Sequence, residues 1–130
     1  MKTNVGLWID HRKAVIVSLS DGGEEIREIS SHMEKHVRYS GKAEEDSAED
    51  QRDMRYAGHL HKYYELVLSS IHDADAILIL GPGEAKVEFK TLLEGKALGG
   101  RITGVETVDK MTDRQLAARV RQHFQYSAKD

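Results

Sequence analysis

The turn that contains Gly81, Gly83 and Lys86 has the composition of an anion-binding site. The continuous apolar run at residues 76–80 predicts a strand that is buried on both faces. A Gly-Pro-Gly turn then opens a helix, so that free backbone N–H groups and Lys86 could bind a phosphate at the carboxyl end of the strand. It is not a P-loop, because the Gly-Lys-Ser/Thr ending is absent. Alternatively, Gly83 permits tight packing of the helix on the sheet, and Lys86 is a solvated helix residue.

A basic segment near the start of the chain could bind the backbone of RNA. His11, Arg12 and Lys13 form a short polar turn between two predicted strands, and Arg38 and Lys42 follow in a long polar segment. The chain carries 19 Lys and Arg against 22 Asp and Glu. Binding of a polyanion would therefore depend on such a local patch. A solvated turn and loop explain the same residues equally well.

Asp10 could hold a divalent metal ion, because it directly follows the first predicted strand. Metal-dependent hydrolysis of phosphodiesters needs several carboxylates around two ions. The region of the fifth predicted strand adds only Glu106 and Asp109, which do not form a convincing set. We therefore assign Asp10 to the turn of a β-hairpin, where Asp is favoured.

Histidine residues offer a second candidate for a metal site. A zinc ion could be bound by members of the set His32, Glu34, His36, His59 and His61. Scattered loop and surface histidines are the alternative explanation. The chain has no Cys, which excludes disulfides, thiolate zinc sites and Cys nucleophiles. No Ser–His–Asp spacing is diagnostic either, so we predict no catalytic residue, no metal and no cofactor.

The elements that carry these residues follow the order three strands, helix, strand, helix, strand, helix. Strands are predicted at 4–9, 14–19, 24–30, 76–80 and 101–108, and helices at 48–72, at 83–96 and after a capping box formed by Thr112 and Gln115. The third strand has few apolar positions, which is typical of a sheet edge. This order predicts an α/β fold with a three-stranded antiparallel meander followed by β-α-β-α units. The result is a five-stranded mixed sheet with helices on both faces.

The length of 130 residues predicts a single domain over residues 1–130. Apolar residues are sparse at 31–50, which predicts a long mobile loop, and 127–130 is predicted to be a frayed tail. The start of the chain lacks the apolar core of a signal peptide, and no run has membrane-spanning length. A soluble, cytoplasmic protein with no membrane partner is therefore expected.

Three segments carry a resemblance to known proteins. They are Trp-Ile-Asp-His-Arg-Lys-Ala-Val-Ile at 8–16, His-Lys-Tyr-Tyr-Glu at 61–65 and Gly-Pro-Gly-Glu-Ala-Lys-Val-Glu-Phe at 81–89. Over residues 4–124 the chain resembles the middle domain of the class-I release factors of eukaryotes and archaea and of the pelota-type ribosome-rescue proteins. It is also similar to small stand-alone bacterial relatives, including those labelled as required for attachment to host cells. The resemblance implies a ribonuclease-H-like fold of the kind found in components of the translational machinery.

The chain departs from this family at the residues that perform peptide release. Release factors carry Gly-Gly-Gln in the loop after the third strand and use it to hydrolyse peptidyl-tRNA. This sequence contains no Gly-Gly-Gln, and Ser-Gly-Lys at 40–42 occupies the comparable loop, with the next glutamine at Gln51. The resemblance therefore implies translation or RNA as the setting and argues against peptide release.

The sequence thus predicts a non-catalytic protein that binds the ribosome, RNA or a protein partner, with contacts at 31–50 and 81–86. Two alternatives remain open. One is a metal-dependent nuclease, since ribonuclease-H-like nucleases place a metal-binding carboxylate where Asp10 lies. The other is an oligomeric interaction module that self-associates through an edge strand or through the long helix.

Overall fold

The computed structural model describes residues 3–31 and 46–124, which form one five-stranded sheet and three α-helices. The strands are β1 (Asn4–Ile9), β2 (Lys13–Ser20), β3 (Gly23–Ser30), β4 (Ala76–Gly81) and β5 (Ile102–Thr107). The helices are α1 (Asp46–Ile71), α2 (Ala85–Gly95) and α3 (Asp113–Phe124), and a 3-10 turn (Gly99–Arg101) precedes β5. The element order is the predicted one. Within the described ranges, no helix combines the length and the apolarity that a membrane span requires.

The sheet is mixed, with the strand order β3-β2-β1-β4-β5. Strands β1, β2 and β3 form the predicted antiparallel meander, whereas β4 and β5 run parallel to β1. Trp8 on β1 lies opposite both Val15 on β2 and Leu80 on β4. The apolar runs of β2 and β4 and residues 5–9 of β1 are buried on both faces, as continuous hydrophobic strands in a covered sheet should be.

Helices cover both faces of the sheet, which confirms the predicted architecture. On one face, side chains such as Leu7 and Ile79 pack against Tyr63 of α1 and Phe89 of α2. The opposite face packs against α3 through a smaller cluster, whose buried members are Trp8, Val15, Val17, Leu19, Leu78, Leu80, Leu116, Ala117 and Val120. Each large side chain buried in this way contributes about 1.5–3 kcal/mol. The alternation of apolar side chains along β1 thus supplies both cores.

Helix α3 lies close to β1 because β1 has a glycine at the contact. A Cβ built on Gly6 would lie only 2.3 Å from Val120 Cγ2. The start of α3 is fixed by the predicted capping box: Gln115 N–H donates to Thr112 Oγ1 at 3.1 Å, and Thr112 N–H donates to Gln115 Oε1 at 2.9 Å. The sequence prediction of this helix start is therefore confirmed.

Strand β3 forms an edge of the sheet, as predicted. Its solvent-exposed residues are mostly charged, and Ile26 is 41% exposed. Charged side chains on an outer strand oppose pairing with further strands. The self-association alternative remains a prediction.

Helix α1 begins earlier than predicted. It starts at Asp46, so the last five residues of the predicted loop at 31–50 are helical, and it ends at Ile71. The rest of that loop and the predicted tail at 127–130 lie outside the described residues.

Helix α2 begins later than predicted. Its N-cap is Glu84, whose carbonyl oxygen accepts the N–H groups of Val87 at 3.0 Å and Glu88 at 2.9 Å. Gly83 therefore lies in the turn before the helix, and Pro82 is not part of its first turn. Three residues, Pro82, Gly83 and Glu84, thus connect β4 to the helix.

Helix α2 also ends on a residue that sequence reasoning did not select. Leu98 N–H donates to the carbonyl of Leu93 at 2.9 Å, and Ala97 N–H donates to that of Glu94 at 3.2 Å, which is a Schellman motif. Ala97 occupies its left-handed position with φ of 64°. The two glycines that follow, Gly99 and Gly100, belong to the 3-10 turn at Gly99–Arg101.

Candidate nucleic-acid interface

One edge of the sheet brings together most of the residues predicted to contact RNA. Because β1 and β4 are parallel, the hairpin turn with His11 and Arg12 and the turn with Gly81 and Gly83 lie together where the carboxyl ends of these strands meet. We call this end of the sheet its carboxyl edge, as distinct from the outer strands β3 and β5. Strand β3 ends there as well: Ser31 N–H donates to the carbonyl of Arg12 at 2.8 Å, and its hydroxyl donates to that of His11 at 2.7 Å. This position is where open α/β sheets usually bind ligands.

Asp10 shapes the hairpin turn from within. Its Oδ1 accepts the backbone N–H groups of Arg12 at 2.8 Å and Lys13 at 2.9 Å, while its own N–H donates to the carbonyl of Lys13 at 3.0 Å. This bonding agrees with the assignment of Asp10 to the turn. In the described part of the chain, no three His, Asp or Glu side chains are grouped so that they could hold a metal ion.

Tyr63 of α1 ties the same turn to the core. Its hydroxyl donates to the carbonyl oxygen of Asp10 at 2.9 Å, and the residue is only 2% exposed. Burial, and secondarily the negative charge of Asp10, raises the pKa of Tyr63 far above its ordinary value. The phenol is therefore a hydrogen-bond donor over the whole physiological range of pH.

A second tie joins the hairpin turn to both α1 and α2. His11 Nε2 lies 3.0 Å from Glu88 Oε1, and the hydroxyl of Tyr64 donates to the same oxygen at 2.6 Å. The side chains of His11 and Glu88 are 38% and 41% exposed, so the pair faces solvent at the candidate interface. Sequence analysis missed Glu88 and Tyr64, because His11 and Glu88 are 77 positions apart and neither spacing nor periodicity links them.

The two glycines of the β4–α2 turn have different roles. A Cβ on Gly81 would lie 2.4 Å from the carbonyl oxygen of Ile9, so Gly81 allows the backbones of β1 and β4 to approach each other. A Cβ on Gly83 would meet no atom within 4 Å. The suggestion that Gly83 permits tight packing of the helix is therefore wrong, and the close contact belongs to Gly81.

Lys86 is not the solvated helix residue that the alternative interpretation expected. It is 8% exposed, and its Nζ donates to the carbonyl oxygen of Gly83 at 2.5 Å. The ammonium group thus orders the turn before α2 and places positive charge there. Glu84 and Glu88 lie beside it in sequence, so this edge of the molecule is not uniformly basic.

The remaining candidates divide into described and undescribed residues. Arg12 is exposed and Lys13 is half-buried at the hairpin turn. His61 is exposed on α1, with its Nε2 3.4 Å from Glu65 Oε2 one turn later. The other predicted contact and metal-site residues Arg38, Lys42, His32, Glu34 and His36 lie outside the described residues.

Comparison with known proteins identifies the fold. No protein-family model and no curated protein matches the sequence. Among solved structures, Pelota of Thermoplasma acidophilum matches with a TM-score of 0.57 at 16% identity. The match covers 98% of this chain and 33% of the Pelota chain. Pelota of Archaeoglobus fulgidus matches with a TM-score of 0.58 at 17% identity, and this match covers 93% of this chain and 31% of that Pelota chain.

An archaeal translation termination factor is similar to the same extent. Its TM-score is 0.55 at 16% identity, and the match covers 97% of this chain and 35% of that structure. The chain thus spans about a third of the length of the proteins that it matches. At this level of identity the likeness concerns the fold. The chain therefore has the fold of one third of Pelota and of an archaeal termination factor, as the sequence resemblance predicts, and its sheet is compatible with a ribonuclease-H-like α/β fold.

Proposed function

We propose that this chain is a non-catalytic, translation-associated protein that binds the ribosome or RNA in the cytoplasm. The observation that carries the proposal is the similarity in fold, over more than nine tenths of the chain, to Pelota and to an archaeal translation termination factor. Because a fold alone does not fix a function, the proposal also depends on the chemistry of the carboxyl edge of the sheet. Peptide release is not part of it, since the sequence contains no Gly-Gly-Gln.

The proposed contact region is the edge formed by the hairpin turn and the β4–α2 turn. Among the described residues of the hairpin turn, Arg12 is the exposed cation, and Lys13 and the imidazole of His11 lie next to it. Gly81 and Gly83 lie in the β4–α2 turn, whose backbone N–H groups precede the start of α2, and that start has no side-chain cap. The full proposed set is His11, Arg12, Lys13, Arg38, Lys42, Gly81, Gly83 and Lys86.

Lys86 has an indirect part in this proposal. Its ammonium group already donates to the carbonyl oxygen of Gly83 and is largely buried, so it offers a phosphate little direct access. It supports binding by holding the turn in place and by offsetting the negative charge of Glu84 and Glu88. Arg12 and Lys13, by contrast, would neutralise phosphates directly.

The first test is cosedimentation of the protein with ribosomes and with ribosomal RNA at low and moderate salt. We expect the protein to comigrate at low salt, and the double substitution Arg12→Ala with Lys13→Ala to weaken this. Loss of two phosphate contacts should make the negative slope of log affinity against log salt shallower by about 1.4–1.8. Lys86→Ala should weaken binding but change this slope less than the double substitution does, because Lys86 acts through the conformation of the turn.

Lys96→Ala provides the matched control. Lys96 lies past the end of α2, at the other edge of the sheet, and its ion pair with Glu65 at 3.7 Å is solvent-exposed and worth little. This substitution should leave cosedimentation unchanged. Absence of the wild-type protein from every ribosomal fraction at low salt, together with no affinity for free RNA, would overturn the proposed function.

A further inference from the structure

The tautomer of His11 is determined by the side chain that it contacts. The carboxylate of Glu88 accepts hydrogen bonds and donates none. Since Nε2 of His11 lies 3.0 Å from Glu88 Oε1, that nitrogen carries the hydrogen atom. The hydroxyl of Tyr64 donates to the same oxygen at 2.6 Å and fixes the carboxylate in turn.

The other ring nitrogen of His11 consequently presents a lone pair. When the imidazole is neutral and Nε2 holds the hydrogen, Nδ1 is an acceptor. Among the described residues, His11 Nδ1 has no hydrogen-bond partner, and the side chain is 38% exposed. With respect to the described residues, the outer side of the imidazole is thus an oriented acceptor that is available to a ligand with a hydroxyl or an amide donor.

This acceptor stands beside the exposed cation of the candidate interface. Arg12 follows His11 directly, and the Cα atoms of neighbouring residues are about 3.8 Å apart. The two side chains therefore start from adjacent positions of one turn, so a strand whose phosphate contacts Arg12 could bring a sugar within reach of the His11 ring. The sugar of RNA carries a 2′-hydroxyl group that can donate a hydrogen bond, and the sugar of DNA lacks it.

We propose that His11 Nδ1 accepts a hydrogen bond from a ribose 2′-hydroxyl, and that this contact makes the protein select RNA over DNA. The proposal rests on the proposed function, since it requires a nucleic acid at this edge of the sheet. Glu88 and Tyr64 are positioning residues: they belong to two different helices and hold the imidazole in one orientation before the ligand arrives. Arg12 and Lys13 supply affinity that is independent of the sugar.

The test compares three oligonucleotides of one sequence: single-stranded RNA, the corresponding DNA and the 2′-O-methyl RNA. Wild-type protein should bind RNA about five-fold more tightly than the other two, which is the range expected for one hydrogen bond. The 2′-O-methyl RNA is informative because it keeps the 2′ oxygen and loses the donor. It examines the contact in the unaltered protein, so the result does not depend on the folding of a variant.

Substitutions then locate the contact. His11→Ala should reduce the ratio of RNA affinity to DNA affinity to about one, whatever its effect on the affinity for DNA. Glu88→Ala should reduce the ratio of RNA affinity to DNA affinity, even if the loss of a negative charge strengthens binding to both. Arg12→Ala should weaken binding to RNA and to DNA by the same factor.

His72→Ala is the matched histidine control. His72 follows the carboxyl end of α1, and its Nδ1 lies 3.0 Å from the carbonyl oxygen of Ser69. Its substitution should not change the ratio of RNA affinity to DNA affinity. Equal affinity of the wild-type protein for the three oligonucleotides, or a preference that survives His11→Ala, would overturn the inference and leave the proposed function standing. If the protein neither comigrates with ribosomes nor binds RNA at low salt, both proposals are wrong.

Discussion

Lys86 illustrates how position changes the chemistry of a side chain. A cation in the first turn of a helix is disfavoured by the helix dipole, and an exposed lysine there would add little. In this molecule the residue is 8% exposed and donates to the carbonyl oxygen of Gly83. Its role is consequently to order the turn, and among the described residues of the hairpin turn the exposed cation is Arg12.

We predict that the buried hydroxyl of Tyr63 makes the protein less stable to unfolding in alkali. Burial raises the pKa of its hydroxyl, with the charge of Asp10 as a secondary cause, so the folded state keeps the proton that the unfolded state releases near pH 10. Its contribution to stability is complete below about pH 10 and is lost as the pH rises above that value. We expect the free energy of unfolding to fall by about 1.4 kcal/mol per pH unit there because of this residue.

Urea unfolding of the wild-type protein and of Tyr63→Phe, followed at pH 8 and pH 11, measures this effect. At pH 8 the variant should be less stable by about 1 kcal/mol, because the carbonyl of Asp10 loses its donor. At pH 11 the gap should close or reverse, since the variant has no phenol to ionise. A gap that stays constant with pH would contradict the assignment of the alkaline loss to Tyr63.

At the scale of the element, the end of α2 carries strain that a substitution can relieve. Ala97 adopts φ of 64° in the Schellman motif, a conformation that costs a residue with a Cβ about 1–2 kcal/mol. Glycine avoids this cost but is more flexible in the unfolded chain. We therefore predict that Ala97→Gly raises the free energy of unfolding by about 0.5–1 kcal/mol, measured by urea denaturation.

Ala118→Gly serves as the control, because Ala118 is an exposed residue within α3. The same change in a right-handed helical position should destabilise the protein by about 1 kcal/mol. Opposite signs for the two substitutions would support the role of the left-handed position. Destabilisation by both would show that Ala97 is not strained.

At the scale of the whole molecule, the contact between β1 and β4 joins the antiparallel half of the sheet to the parallel half. Gly81 permits this contact, since its Cβ would lie 2.4 Å from the carbonyl oxygen of Ile9. The clashing atom belongs to the backbone of a central strand and cannot move without disturbing both cores. We predict that Gly81→Ala lowers the free energy of unfolding by about 1–3 kcal/mol.

Gly83→Ala, two residues away, is the paired control. A Cβ there meets no atom within 4 Å, so stability should remain within about 0.5 kcal/mol of the wild-type value. Chemical denaturation of the two variants compares them directly. Equal stability of both variants would mean that β1 and β4 can separate at little cost, and that the close contact is not a constraint on the fold.

The sequence alone determined the architecture because its signals are local. Each signal is formed by residues only a few positions apart in the chain. Examples are the period-two pattern of β1, the continuous apolar run of β4 and the capping box of Thr112 and Gln115. Such patterns identify strands, helices and their buried faces directly. The resemblance in sequence then led to the same fold that the solved structures of Pelota and the termination factor show.

Tertiary structure decided how the site is built, because its contacts join residues that are distant in the chain. The bond between His11 and Glu88 spans 77 positions, and the burial of Lys86 depends on how α2 is seated on the sheet. The register shift between β4 and β5, which pairs Ile77 with Ile102 but Leu78 with Gly104, likewise has no local signal. Local patterns fix which face of an element is apolar, whereas only the packed molecule fixes which polar atoms meet.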